Sequence, residues 1–297
     1  MKTPVFTGAN VAIVTPFTEK GVNYEKLGEL IEFQIEKGID AITVCGTTGE
    51  SPTLTHEEHC AVIEYSVKKV AGRIPVIAGS GSNDTSYAVE LSQFAEKAGA
   101  DGLLMVTPYY NKTTQRGLIQ HYSYVADRVN TPIILYNVPS RTGVGFTADT
   151  YAELSKHPNI NGIKEASGDF SLIAETLSKC GDNMFIWSGN DDQVVPLMSL
   201  GAKGVISVTA NIFPDAVSRM CKCCLDGDFK TATELQLKYL DITNALFKEV
   251  NPIPVKAAMK LLGMDNGYLR MPLCEMSPSN LEVLRKSLEN IGANVAK

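Results

Sequence analysis

Positive charge is scarce in this chain. Lysine and arginine total 27 against 33 acidic residues, a formal net charge of −6. No basic stripe gathers along the sequence, which argues against nucleic acid as a partner. Long apolar runs are also missing. No segment reaches the roughly 20 residues that span a bilayer, so no membrane partner is expected. The opening MKTPVFTGANVAIV has one lysine and no long apolar stretch. Neither a signal nor a transit peptide is expected there, and the chain reads as cytoplasmic. Seven cysteines, an odd number, favour reduced thiols over disulfides. The one cluster, Cys221, Cys223 and Cys224, falls on an expected helix over 216–225 without a second Cys/His pair, so core packing is expected rather than metal binding.

Metal sites find no better support elsewhere. His56 and His59 lie in HEEH, which lacks the i, i+4 spacing and glutamate order of H-E-x-x-H. They are expected exposed at a helix start. SGNDD (188–192) could be a divalent-cation loop, but serine, glycine and acids there serve equally as a cap for a helix from Gln193. No metal is expected from these motifs.

What is present is a repeat of short apolar runs, each followed by an amphipathic helical stretch. The runs lie at 10–15, 41–45, 74–79, 102–107, 132–137, 161–165, 184–189 and 204–209. Helical periodicity fills segments such as 24–38 and 86–99. Continuous rather than alternating apolar runs imply strands buried on both faces. Eight such units by residue 227 predict an α/β fold, a (β/α)8 TIM barrel. Beyond it the pattern is helical near 228–249, 253–262 and 278–291. A catalytic barrel over 1–227 with a helical C-terminal extension over 228–297 is therefore expected, the extension packed on the barrel.

In this architecture chemistry sits at the C-terminal ends of the strands. Lys164, in GIKEASG (162–168), ends the sixth run, and an ammonium is costly to remove from water. Read alone, it is either a snorkelling lysine or an amine prepared for nucleophilic work. The barrel brings it to one rim with Tyr136, Tyr109–Tyr110 and Thr47–Thr48, and this convergence favours the second reading. A neutral amine can attack a ketone or aldehyde carbonyl and form a Schiff base, and a phenol on the neighbouring strand can relay protons. GTTGES (46–51) offers hydroxyls and backbone N–H groups to a carboxylate. Arg141 can hold a second carboxylate in bidentate fashion. Each has a blander reading: Tyr136 as a packing residue, the glycines as a turn, Arg141 as a surface cation.

GTTGES, TPYYNK, YNVPSRTG, GIKEASG, SGND, GVISVTAN and NPIPVK, in this order, resemble the dihydrodipicolinate synthase family over about residues 3 to 292. GIKEASG and the GTTGE turn alone indicate only the wider pyruvate-dependent class I aldolase and lyase superfamily; the arginine after YNVPS and the double threonine narrow it. The resemblance implies a lyase that, without a metal or organic cofactor, condenses pyruvate with aspartate 4-semialdehyde, the committed step towards diaminopimelate and lysine. It makes Lys164 the Schiff-base lysine and Tyr136 the proton shuttle. Thr47 links that tyrosine to Tyr110, which the neighbouring subunit contributes. Thr48 holds the pyruvate carboxylate, Arg141 the semialdehyde carboxylate, and Gly189 and Ile206 line the pocket. The assembly it implies is a homotetramer, a dimer of dimers. Ser51, His56, His59, Asn83 and Tyr109 match a regulatory site for lysine, but Tyr87 stands where a glutamate often meets the ammonium group and Pro52 replaces a small alanine.

Two other readings compete. N-acetylneuraminate lyase or a 2-keto-3-deoxy sugar acid aldolase would keep the lysine and tyrosine but usually lack Arg141. A non-catalytic metabolite-binding barrel or lysine sensor would have no need of Lys164.

Overall fold

The structure is a computed structural model that describes residues 2–295. Met1 and residues 296–297, the ends of the two expected units, lie outside the described residues. Among the described residues ten strands are present: β1 (Gly8–Ala12), β2 (Phe17–Thr18), β3 (Gly21–Val22), β4 (Ala41–Val44), β5 (Val76–Gly79), β6 (Gly102–Val106), β7 (Ile133–Asn137), β8 (Ile160–Glu165), β9 (Phe185–Ser188) and β10 (Gly204–Ser207). Eight of them close a parallel barrel, in the order β1-β10-β9-β8-β7-β6-β5-β4. β2 and β3 form a small antiparallel ribbon outside it.

The barrel strands are buried along nearly their whole length and mostly apolar, because both faces are covered. In β7, Ile133 and Leu135 turn out to the helical layer, while Ile134 and Tyr136 turn into the barrel. The inner layer is compact: Ala12, Ala41, Ile77, Leu104, Ile134, Tyr136, Phe185, Trp187 and Ile206 pack together. Phe6, just before β1, stacks on Trp187 at 4.9 Å between ring centroids and accepts a hydrogen bond from its indole N–H through the Phe6 carbonyl. That pair fills the interior from the N-terminal side, so the barrel is a packed core with its opening at the other end.

Helices return the chain from strand to strand, and their starts are read locally. Thr55 caps helix His56–Val70 through a capping box with Glu58, and Asp84, Thr114, Thr147 and Asp169 each accept a backbone N–H of the helix they precede. The cysteine cluster lies on helix Pro214–Leu225, with Cys221 and Cys224 buried in the core.

Helices Phe229–Ala245, Ile253–Leu261 and Pro278–Asn290 follow the barrel. The first packs on Pro214–Leu225 and the third packs on the other two. Ile253–Leu261 is anchored inward by Lys256, fully buried, whose ammonium donates to the carbonyls of Thr15 and Tyr268 at 2.8 Å and forms an ion pair with the equally buried Glu50. Burial lowers the Lys256 pKa, and Glu50 opposes that shift.

The first strand begins earlier than the apolar run at 10–15 predicts, at Gly8. The segment 13–15 instead leaves the sheet and turns towards the ribbon, with Asn211 holding the Val14 N–H. The other seven barrel strands agree with the predicted runs to within two residues at either end.

Candidate active site

β8 does not stop at Lys164 but runs through it to Glu165. Lys164 therefore projects from inside a strand, into the barrel, at 5% exposure. Its register neighbours are Tyr136 on β7 and Trp187 on β9. The Lys164 Nζ lies 4.4 Å from the centroid of the Tyr136 ring. Gly189, after β9, closes on the lysine stem: a Cβ there would stand 3.2 Å from Lys164 Cγ and 2.8 Å from Ala166 Cβ. Ile206 is fully buried in the inner layer with Tyr136 and Trp187.

Glu165 alternates to the outside of the barrel, where it accepts from the Asn137 amide, the Tyr151 hydroxyl and the Ser167 N–H. Burial raises its pKa, and these three donors work against that rise. The effect on Lys164 is mechanical: its neighbour is pinned on both flanks, so the lysine backbone is fixed.

The turn after β4 carries Thr47 and Thr48. It is tight, with Cys45 and Glu50 both in the left-handed region at φ 53° and 55°. Gly79 allows its approach, since a Cβ at that position would lie 2.1 Å from the Cys45 carbonyl oxygen. The N–H groups of Gly49, Glu50 and Ser51 close the turn on Gly46 and Thr47 carbonyls. Those three are thus engaged within the turn and are not the backbone donors it can offer a ligand. Thr48 is buried, and its hydroxyl accepts a hydrogen bond from the Asn251 amide at 3.0 Å.

Past the ends of β4, β6 and β7 lies a cavity of about 370 Å³ whose lining includes Thr47, Val106, Val138, Arg141 and Thr142. Arg141 sits on the one-turn helix Pro139–Thr142 after β7 and donates to the Asn251 carbonyl at 3.3 Å. Lys164 and Tyr136 are buried and are not among its lining residues.

The same cavity takes in Ser51, Pro52, His59, Tyr87 and Tyr109. His59 is buried rather than exposed, its Nε2 at 2.7 Å from the Gly79 carbonyl oxygen. Burial lowers its pKa, so it donates to that carbonyl as a neutral imidazole. The helix start tilts one face of its first turn inward, which the HEEH pattern does not reveal. His56 is half-buried, 3.3 Å from the Tyr87 hydroxyl, and Asn83 donates to the Tyr109 carbonyl at 3.1 Å. SGNDD is neither a cation loop nor a simple cap: Asp191 is buried and accepts the N–H groups of Val208 and Thr209, tying the ends of β9 and β10 together.

Tyr110 stands apart. It is 92% exposed, with a left-handed backbone at φ 69°. Tyr109 beside it is 36% exposed. Sequence reasoning passed over Glu50, Asn251 and Lys256. NPIPVK marks the last two, and a proline-broken segment carrying asparagine and lysine is the only signal they give.

The family model described as the dihydrodipicolinate synthetase family matches residues 5–291. The chain is 57% identical over 290 residues to a 4-hydroxy-tetrahydrodipicolinate synthase of Thermoanaerobacter sp. (strain X514), covering 97% of this chain and 98% of that one. It is 54% identical to the protein of that name in Acetivibrio thermocellus, covering 98% of this chain and 99% of that one. Among solved structures, the dihydrodipicolinate synthase from Aquifex aeolicus matches with a TM-score of 0.96 and 49% identity, over 98% of this chain and 100% of that one.

Proposed function

The chain belongs to the dihydrodipicolinate synthetase family, and we propose that Lys164 carries that family's reaction as a Schiff-base nucleophile. The protein is a lyase that condenses pyruvate with L-aspartate 4-semialdehyde to 4-hydroxy-tetrahydrodipicolinate, the first committed step towards diaminopimelate and lysine. One observation supports the assignment of Lys164 above the rest: an amine buried inside the barrel, register partner of a phenol and 4.4 Å from its ring.

The unprotonated Lys164 amine attacks the pyruvate ketone, and the carbinolamine loses water to give an iminium. The iminium draws electrons from the adjacent methyl group, which loses a proton to form an enamine. Enamine carbon then attacks the semialdehyde carbonyl, making the new C–C bond as the aldehyde oxygen takes up a proton. The semialdehyde amine finally attacks the iminium carbon, closing the ring and releasing Lys164. Tyr136 moves the protons, with Thr47 as the next hydroxyl in the relay. Thr48 holds the pyruvate carboxylate and Arg141, at the cavity mouth, the semialdehyde carboxylate. Gly189 leaves room beside the lysine stem, and Ile206 walls the pocket.

Tyr110 completes the relay in a neighbouring subunit within a homotetramer built as a dimer of dimers; its exposure in the single chain supports this. Residues 1–227 form the catalytic barrel and 228–297 an extension packed on it. Ser51, His56, His59, Asn83 and Tyr109 form the lysine-regulatory site, weakened by Tyr87 in place of a carboxylate. Among the described residues no helix is long and apolar enough to cross a membrane, and the cytoplasm is the place for this biosynthetic step.

The experiment supplies pyruvate with aspartate 4-semialdehyde and, separately, N-acetylneuraminate or a 2-keto-3-deoxy sugar acid. Turnover of the first pair alone is expected. Cleavage of a sugar acid with no condensation would overturn the assignment.

A further inference from the structure

The C-terminal extension meets both Thr48 and Arg141 through Asn251. Its side chain is buried, and the amide Nδ2 donates to the Thr48 hydroxyl at 3.0 Å. Its backbone carbonyl accepts from Arg141 at 3.3 Å. The same stretch is clamped by Lys256, five residues on, which pairs with Glu50 two residues beyond Thr48. The turn and Asn251 are therefore held as one unit, with no side chain intervening between the amide and the hydroxyl.

A hydroxyl has one proton and can accept as well as donate. Once it accepts from Asn251, the Thr48 proton is left to be donated elsewhere, and chained hydrogen bonds polarise one another. The other end of the amide, Oδ1, is buried with no hydrogen-bond partner among the described residues. An unmet buried acceptor opposes folding. Stability alone therefore does not account for an asparagine at this place.

We propose that Asn251 is a positioning residue for pyruvate: its amide turns the Thr48 hydroxyl so that its proton is directed at the pyruvate carboxylate. This rests on the reading of Thr48 as the carboxylate ligand.

The test is a double-mutant cycle of Thr48→Val and Asn251→Ala in the full chain, read as half-saturating pyruvate, half-saturating semialdehyde and kcat. Thr48→Val alone checks the underlying reading. Asn251→Ala is expected to raise half-saturating pyruvate about five- to twelve-fold, the upper half of the scale of one neutral hydrogen bond, with kcat and the semialdehyde value within about two-fold. In the Thr48→Val background it should add less than about two-fold, because its target is gone. If Asn251→Ala does not fold, Asn251→Asp keeps the shape, removes the donor and carries the same expectation for pyruvate. A raised pyruvate value in Thr48→Val with none in the Asn251 variants, or two effects that simply multiply, overturns the proposal. No effect of Thr48→Val itself overturns the reading of Thr48 and the proposal with it.

Discussion

His121 shows what burial does to a single group that takes no part in the chemistry. Its ring sits edge-on to Tyr122 at 4.9 Å, Nδ1 is 2.9 Å from the Thr85 hydroxyl, and Nε2 is buried without a partner among the described residues. Burial lowers its pKa from 6.5 to about 4. Between those values the unfolded chain takes up a proton that the folded chain refuses, so stability falls as pH drops from 6.5 towards 4. Above pH 6.5 the group contributes no slope. The loss at pH 4 should reach at most about 3 kcal/mol. Chemical denaturation across this range should give a steeper acid fall for the wild type than for His121→Gln; parallel curves would contradict the account. Nothing in the sequence around His121 discloses its burial, and the same is true of Asn251. Lys164 was legible for the opposite reason: a cation closing an apolar run conflicts with its surroundings unless it has work there.

Among elements, the barrel strands were readable because burial on both faces writes a continuous apolar run into each of them. The β2–β3 ribbon was not, since strands of two residues carry no period. Pairing between remote elements is equally silent in a sequence. The GTTGES turn reads as a carboxylate cradle; three of its N–H groups, of Gly49, Glu50 and Ser51, close the turn itself, and its acidic residue Glu50 reaches across to Lys256 in the extension. Lys256→Met would leave Glu50 buried without its cation, which costs about 3–5 kcal/mol when a buried pair is broken on one side. Adding Glu50→Gln to Lys256→Met should restore part of that loss. Denaturation midpoints of the two variants test this. A loss in Lys256→Met below about 1 kcal/mol would show that the pair does not hold the extension to the turn.

On the scale of the whole molecule, one chain holds Lys164, Tyr136 and the Thr47–Thr48 turn at one end of the barrel, but Tyr110, proposed as the remaining relay hydroxyl, lies on the surface. An exposed aromatic pair on a loop is the mark of an interface. Sequence showed the loop and its aromatics; which chain's site they serve is a matter of assembly, and no periodicity encodes it. Tyr110→Phe removes one hydroxyl and should lower kcat about ten-fold or more with the fold intact. Mixed with inactive Lys164→Ala subunits under exchange, it should regain activity, because a heterodimer unites an intact Lys164 with the partner's intact Tyr110. No recovery in a mixture shown to exchange would place Tyr110 outside the partner's site. All of this depends on the imine at Lys164, and one measurement reaches it directly: incubation with pyruvate and borohydride, then mass analysis of the intact chain and its peptides. One reduced pyruvate unit per chain, located on Lys164 and lost in Lys164→Ala, is the expected result; labelling of another lysine, undiminished in Lys164→Ala, would contradict the account.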